Sequence, residues 1–208
     1  MELDIKEWIG QWDNFENYIN SHDKNMLACW EEAESICQGI PMFSKGVKVF
    51  WQQSCKTITE ENLIQIYGWN IKESNKEKSI LTIEWFTSDK QIIEVFDYTL
   101  DSIVEKGLES KPNYLLRAIN GREGSPFTYI LAMPPMPERS SIKEGGLLSH
   151  FHFQFASSLD KLVCYDGKLA KPMWYATMCS ADGDLLEQCK IVRALHRLPK
   201  WNKLIYEL

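Results

Sequence analysis

Apolar residues recur at spacings of three and four over the first 38 positions. Ile5, Trp8, Ile9, Trp12, Phe15 and Ile19 share one face at that period, which predicts a helix weakened in its middle by Gly10. Asp23 then stands as an N-cap candidate for a second helix. Its apolar stripe is Met26, Leu27, Trp30, Ala33 and Ile36–Cys37, and Gly39 and Pro41 end it. From about residue 46 the period shortens to two. Segments 47–51, 63–72, 80–86, 92–100, 114–118, 127–133, 150–155 and 162–165 are rich in β-branched and aromatic residues. Turn sequences such as 73–78, 88–90, 120–125 and 166–167 separate them. Segment 182–193 predicts a short last helix, and 196–208 forms a tail.

About eight strands without interleaved helices predict a sandwich or a closed antiparallel barrel rather than a parallel βαβ sheet. The expectation is a mainly β chain in one domain, 1–208: a helical segment over 1–40, a β-barrel over 46–178, a C-terminal helix over 181–195 and the tail. A chain of 208 residues, 44% hydrophobic and 25% charged, is long enough to bury its own core without metal or disulfides.

The net charge of −6, with Lys and Arg scattered singly, argues against nucleic acid as a partner. No stretch approaches the roughly 18 apolar residues of a membrane span. The N-terminus is acidic at Glu2 and Asp4 and does not read as a secretory signal, so the chain is expected in the cytoplasm, or outside it if a signal has been removed. Cys29, Cys37, Cys55, Cys164, Cys179 and Cys189 form no CxxC pair and no zinc-finger spacing, and are expected as reduced, mostly buried thiols.

Candidate chemistry rests on histidine. Two of the four occur as Ser149-His150-Phe151-His152-Phe153, and on a strand the imidazoles of His150 and His152 project from one face while the phenylalanines project from the other. That spacing lets both reach one zinc, copper, nickel or iron ion. His22 and His196 lie near helix ends, where a surface role or a C-terminal charge interaction accounts for them. Just before the pair runs a long irregular Pro/Met loop, 133–146.

Other chemistry is not supported. A cupin site would want a glutamate where Ala156 and Ser157 stand. Gly121-Arg122-Glu123-Gly124 is a turn and not a phosphate cradle, and no nucleophile elbow is present. The carboxylate pairs Glu31–Glu32 and Glu60–Glu61 are expected to be solvated.

Three stretches carry a resemblance. The first is Ile5-Lys6-Glu7-Trp8-Ile9-Gly10-Gln11-Trp12, followed by Asn17-Tyr18 and Trp30-Glu31-Glu32-Ala33. The second is Ser149-His150-Phe151-His152-Phe153, and the third is Lys171-Pro172-Met173-Trp174-Tyr175 leading into the last helix. In order and approximate spacing, over about residues 5 to 192, they resemble the ZinT (YodA) family of metal-binding, lipocalin-like proteins. The resemblance implies a calycin-type barrel with attached helices and a zinc site at the barrel mouth, with His150 and His152 as two ligands. The family's third histidine, about nine residues before the pair, falls on Ser141 here, leaving Glu138 or Glu144 as a substitute oxygen ligand.

Two functions follow. One is a non-enzymatic protein binding zinc or another divalent transition metal for storage or trafficking. The alternative is a barrel that has lost the metal site and holds a small apolar ligand or a protein partner.

Overall fold

The computed structural model describes residues 5–74, 80–87, 90–104, 112–139 and 148–198. Eight strands close into an antiparallel barrel in which each pairs with its sequence neighbours and the last returns to the first. They are β1 (Gly10–Asn14), β2 (Gly68–Glu73), β3 (Leu81–Phe86), β4 (Ile92–Val104), β5 (Asn113–Ala118), β6 (Tyr129–Ala132), β7 (His150–Ala156) and β8 (Ala176–Ser180). Four helices, α1 (Glu16–Ile19), α2 (Lys24–Ile36), α3 (Val47–Ser54) and α4 (Leu185–Leu195), complete the described architecture.

Six expected strands are present and two are not. Segment 47–51 is the start of α3. Val47 and Trp51 are one helical turn apart, and the Glu34 carboxylate accepts from the Val47 and Lys48 backbone N–H groups at 2.8 and 3.0 Å, capping the helix. Segment 162–165 follows a 3-10 turn and makes only one bridge, Val163 to Leu169.

Two strands take their place. β1 lies where a continuous helix is expected. Trp12 faces Trp69 on one side and Ser180 on the other, so this short strand is the one that closes the barrel. β8, Ala-Thr-Met-Cys-Ser, shows no polar alternation because all five residues are buried, one face against the barrel core and the other under the helices. The segment 1–40 is therefore helical only in part. Asp23 caps α2 as expected, accepting from Asn25 and Met26 N–H. The tail beyond 198, the turn at 75–78 and the loop from 140 to 146 lie outside the described residues.

Inside the barrel, Trp69, Trp85, Phe127, Phe151, Phe153 and Phe155 are 3% exposed or less. Their rings touch in sequence: Trp69 on Phe153 at 4.5 Å between centroids, Trp85 on Phe127 at 4.4 Å, Phe153 on Phe155 at 5.8 Å. An eight-stranded barrel has room for side chains or one small ligand, and these six aromatic side chains lie in that interior. Gly68 is demanded by closure, because a β-carbon there would collide with the Trp12 carbonyl oxygen.

A second apolar layer lies outside β8 and β1, where Phe15, Trp30, Cys55, Cys179, Cys189 and Val192 pack together. Five cysteines are buried and Cys164 is exposed, all as free thiols. No described helix is long and apolar enough to cross a membrane.

Candidate metal centre

β7 sorts its side chains by parity. Phe151, Phe153 and Phe155 enter the barrel core, so His150 and His152 stand on the outer face of the wall, both half-buried. The structure does bring the predicted pair together: ring centroids are 5.5 Å apart with planes at 79°. Two imidazoles sharing one tetrahedral ion at Zn–N distances of about 2.0–2.1 Å hold their centroids roughly 5 Å apart, so the spacing fits a shared ligand.

Hydrogen bonding fixes which nitrogen faces a metal. The His152 Nδ1 lies 2.8 Å from the Thr177 hydroxyl, its cross-strand partner on β8. That hydroxyl in turn donates to the Tyr175 carbonyl at 3.2 Å. All contacts are satisfied when Nδ1–H donates to Thr177, which leaves the lone pair on Nε2. His150 Nδ1 faces the Leu148 carbonyl at 3.4 Å, a weaker contact of the same sense, because a carbonyl can only accept. Burial, and next the neighbouring His150, push the His152 pKa down to about 3. Its ring is neutral at physiological pH, the form that binds metal.

Tyr175 flanks His152 at 6.3 Å between rings, and the Cys55 sulfur lies 3.7 Å from the Thr177 hydroxyl. Cys179 stands opposite His150 on β8, and Asp13 opposite Cys179 on β1, so the three share one row across the wall. Burial raises the Cys179 thiol well above its ordinary range and raises Asp13 despite an opposing Lys90. A thiol held protonated is a poor ligand. Among the described residues no group of three or more His, Cys, Asp or Glu is placed to hold a metal ion. Glu138 is exposed, and Ser141 and Glu144 lie outside the described residues. His150 and His152 are the two candidate ligands that this wall brings together.

The remaining candidates sort clearly. His22 is exposed, as expected. His196 is not a surface cation: it is 5% exposed, its Nδ1–H donates to the Val192 carbonyl at 2.7 Å, and its Nε2 accepts from the Trp51 indole at 2.8 Å. Two of the carboxylates expected to be solvated are paired, Glu32 with Arg193 and Glu61 with Lys161. Thr177, which orients His152, carried no signal in the sequence.

Residues 133–139 of the Pro/Met loop run against this wall. Met136 exchanges both backbone hydrogen bonds with His150, and Met133 N–H donates to the His152 carbonyl. Further on, the Arg139 guanidinium lies 4.7 Å above the Trp12 ring, pairs with Asp182 at 2.6 Å and faces Gly10, whose φ of +128° and missing side chain accommodate it.

No family profile matches the chain, and no curated protein sequence matches it. Among solved structures the chain is similar to the Zn(II)-bound ZinT-like domain of Streptococcus pneumoniae AdcA. The TM-score is 0.57 and the identity 10%, over 94% of this chain and 91% of that one. At that identity the likeness speaks for the fold: a closed eight-stranded antiparallel barrel with four helices, consistent with a ZinT-like calycin arrangement.

Proposed function

We propose that this protein is a non-enzymatic barrel of the ZinT type that binds a divalent transition metal, zinc foremost, for storage or hand-over. His150 and His152 are its imidazole ligands. The observation that carries the proposal is the pair itself: two rings 5.5 Å apart on one face, each with Nδ1 turned to an oxygen. The Zn(II)-bound neighbour of the same fold supports the choice of metal. With two protein ligands the remaining positions are open to water or a partner's donor, which suits an ion that must be released.

Isothermal titration of zinc into the chelator-stripped protein tests this. One equivalent of zinc should bind to the wild type, and the His150→Ala/His152→Ala double variant should show no such binding. Equal heat from both proteins, or none from either, contradicts the assignment.

A further inference from the structure

The Pro/Met segment before β7 brings a further donor to the imidazole pair. Met136 stands opposite His150 in an antiparallel bridge and exchanges both backbone hydrogen bonds with it. The Met136 N–H donates to the His150 carbonyl at 2.7 Å, and the His150 N–H donates to the Met136 carbonyl at 3.1 Å. In an antiparallel pair of this kind the two side chains leave the same face, with their β-carbons roughly 5.5 Å apart. His150 is on the outer face of the wall, so Met136 stands beside it there, half-buried.

That position is held from several sides. The Met133 N–H donates to the His152 carbonyl at 3.0 Å, and the Ser149 hydroxyl donates to the Pro137 carbonyl at 2.7 Å. Further on, Arg139 pairs with Asp182 and lies over Trp12, while Pro135 and Pro137 on either side of Met136 restrict the backbone. The chain is thus fixed next to the imidazoles. The methionine side chain keeps three rotatable bonds with which to bring its sulfur onto an ion that the rings hold.

We infer that Met136 is a third, thioether donor at the His150/His152 site and that it extends the site to Cu(I). The inference rests on the two-imidazole reading above and adds a metal specificity to it. Zinc takes thiolate, imidazole and carboxylate ligands, so Met136 contributes nothing to its binding. Cu(I) is soft and takes thioether together with imidazole. Two neutral imidazoles and a neutral thioether leave the charge of the ion uncompensated, and a single charge costs less to hold on a half-buried wall than a double one. Met136 therefore separates the two metals: zinc is held by the histidines alone, Cu(I) by all three side chains.

The test uses the full chain carrying Cys164→Ser, which removes the exposed thiol, kept reduced and free of oxygen. Affinities for Cu(I) and for zinc are measured separately by competition with chromophoric chelators, with and without Met136→Leu, a change of similar volume. The expected result is a Cu(I) affinity about 10-fold or more lower in Met136→Leu, with zinc affinity unchanged. Copper K-edge absorption of the selenomethionine-labelled protein should show a selenium neighbour of the bound Cu(I) that Met136→Leu removes. Equal Cu(I) affinities, equal losses for both metals, a missing selenium neighbour, or zinc binding without Cu(I) binding each overturn the inference and leave the imidazole reading standing. Failure of the Met136-containing chain to bind either metal overturns that reading, and the inference with it.

Discussion

Thr177 decides the orientation of His152 by accepting from its Nδ1 while its own hydroxyl donates to the Tyr175 carbonyl. Partners that fix a ligand's tautomer commonly contribute 10–100-fold to metal affinity. Thr177→Val keeps the shape and removes the hydroxyl, so zinc affinity measured by competition with a chromophoric chelator should fall about 10-fold or more. An unchanged affinity would show that Thr177 does not position the ring. His196 makes the opposite use of imidazole. Its Nε2 accepts from Trp51, so protonation there breaks a buried hydrogen bond, and burial holds its pKa below 6.5 in the folded state. The unfolded chain takes the proton first. Stability from this group is therefore full above about pH 6.5, declines as pH falls through that value, and levels off below the folded pKa. Melting curves from about pH 7 to about pH 5 should show a steeper loss of Tm for the wild type than for His196→Gln. Equal slopes would contradict it. Only half of this was legible. Parity along a strand made the His150/His152 pair readable, but nothing in one dimension marks a threonine 25 positions downstream, or turns a helix-end histidine inward onto a tryptophan.

Elements were legible where their environment was two-sided. β3 alternates strictly between buried and half-buried residues, and its sequence says so. β8, Ala-Thr-Met-Cys-Ser, is covered on both faces, and its small mixed residues give no period-two signal. β1 misleads for another reason: spacings of three and four among Ile5, Trp8, Trp12 and Phe15 arise from a turn, a strand and a helix start in succession, and only pairing with β2 and β8 selects the strand. Gly10 is the hinge of that solution, combining a positive φ with the Arg139 guanidinium against its Cα. Gly10→Ala should destabilise the protein by about 1–3 kcal/mol in urea unfolding, with the barrel-closing strand responsible. A cost near zero would mean that this backbone conformation is not required.

At the scale of the molecule, two apolar layers share the β8–β1 wall: aromatic rings inside the barrel and the helical layer outside it. Trp69, Trp85 and the phenylalanines pack ring on ring inside the barrel, and Trp85→Ala should therefore cost about 3–5 kcal/mol in thermal or urea unfolding. A loss below about 1 kcal/mol would indicate slack in the barrel. The same packing sends the polar face of β7 outward, so the imidazole pair lies on the outer wall and not within the barrel. The resemblance implies a site at the barrel mouth; His150 and His152 stand at the start of β7, beside Thr177 and Cys179 on the outside of the wall. The most direct measurement is zinc titration of protein carrying ¹⁵N-labelled histidine, followed by nitrogen NMR of the side chains. The account predicts that Nε2 of His150 and His152 shifts on zinc addition while Nδ1 keeps its protonated signature and His22 and His196 stay put. Shifts at Nδ1, at other histidines, or at none would contradict it.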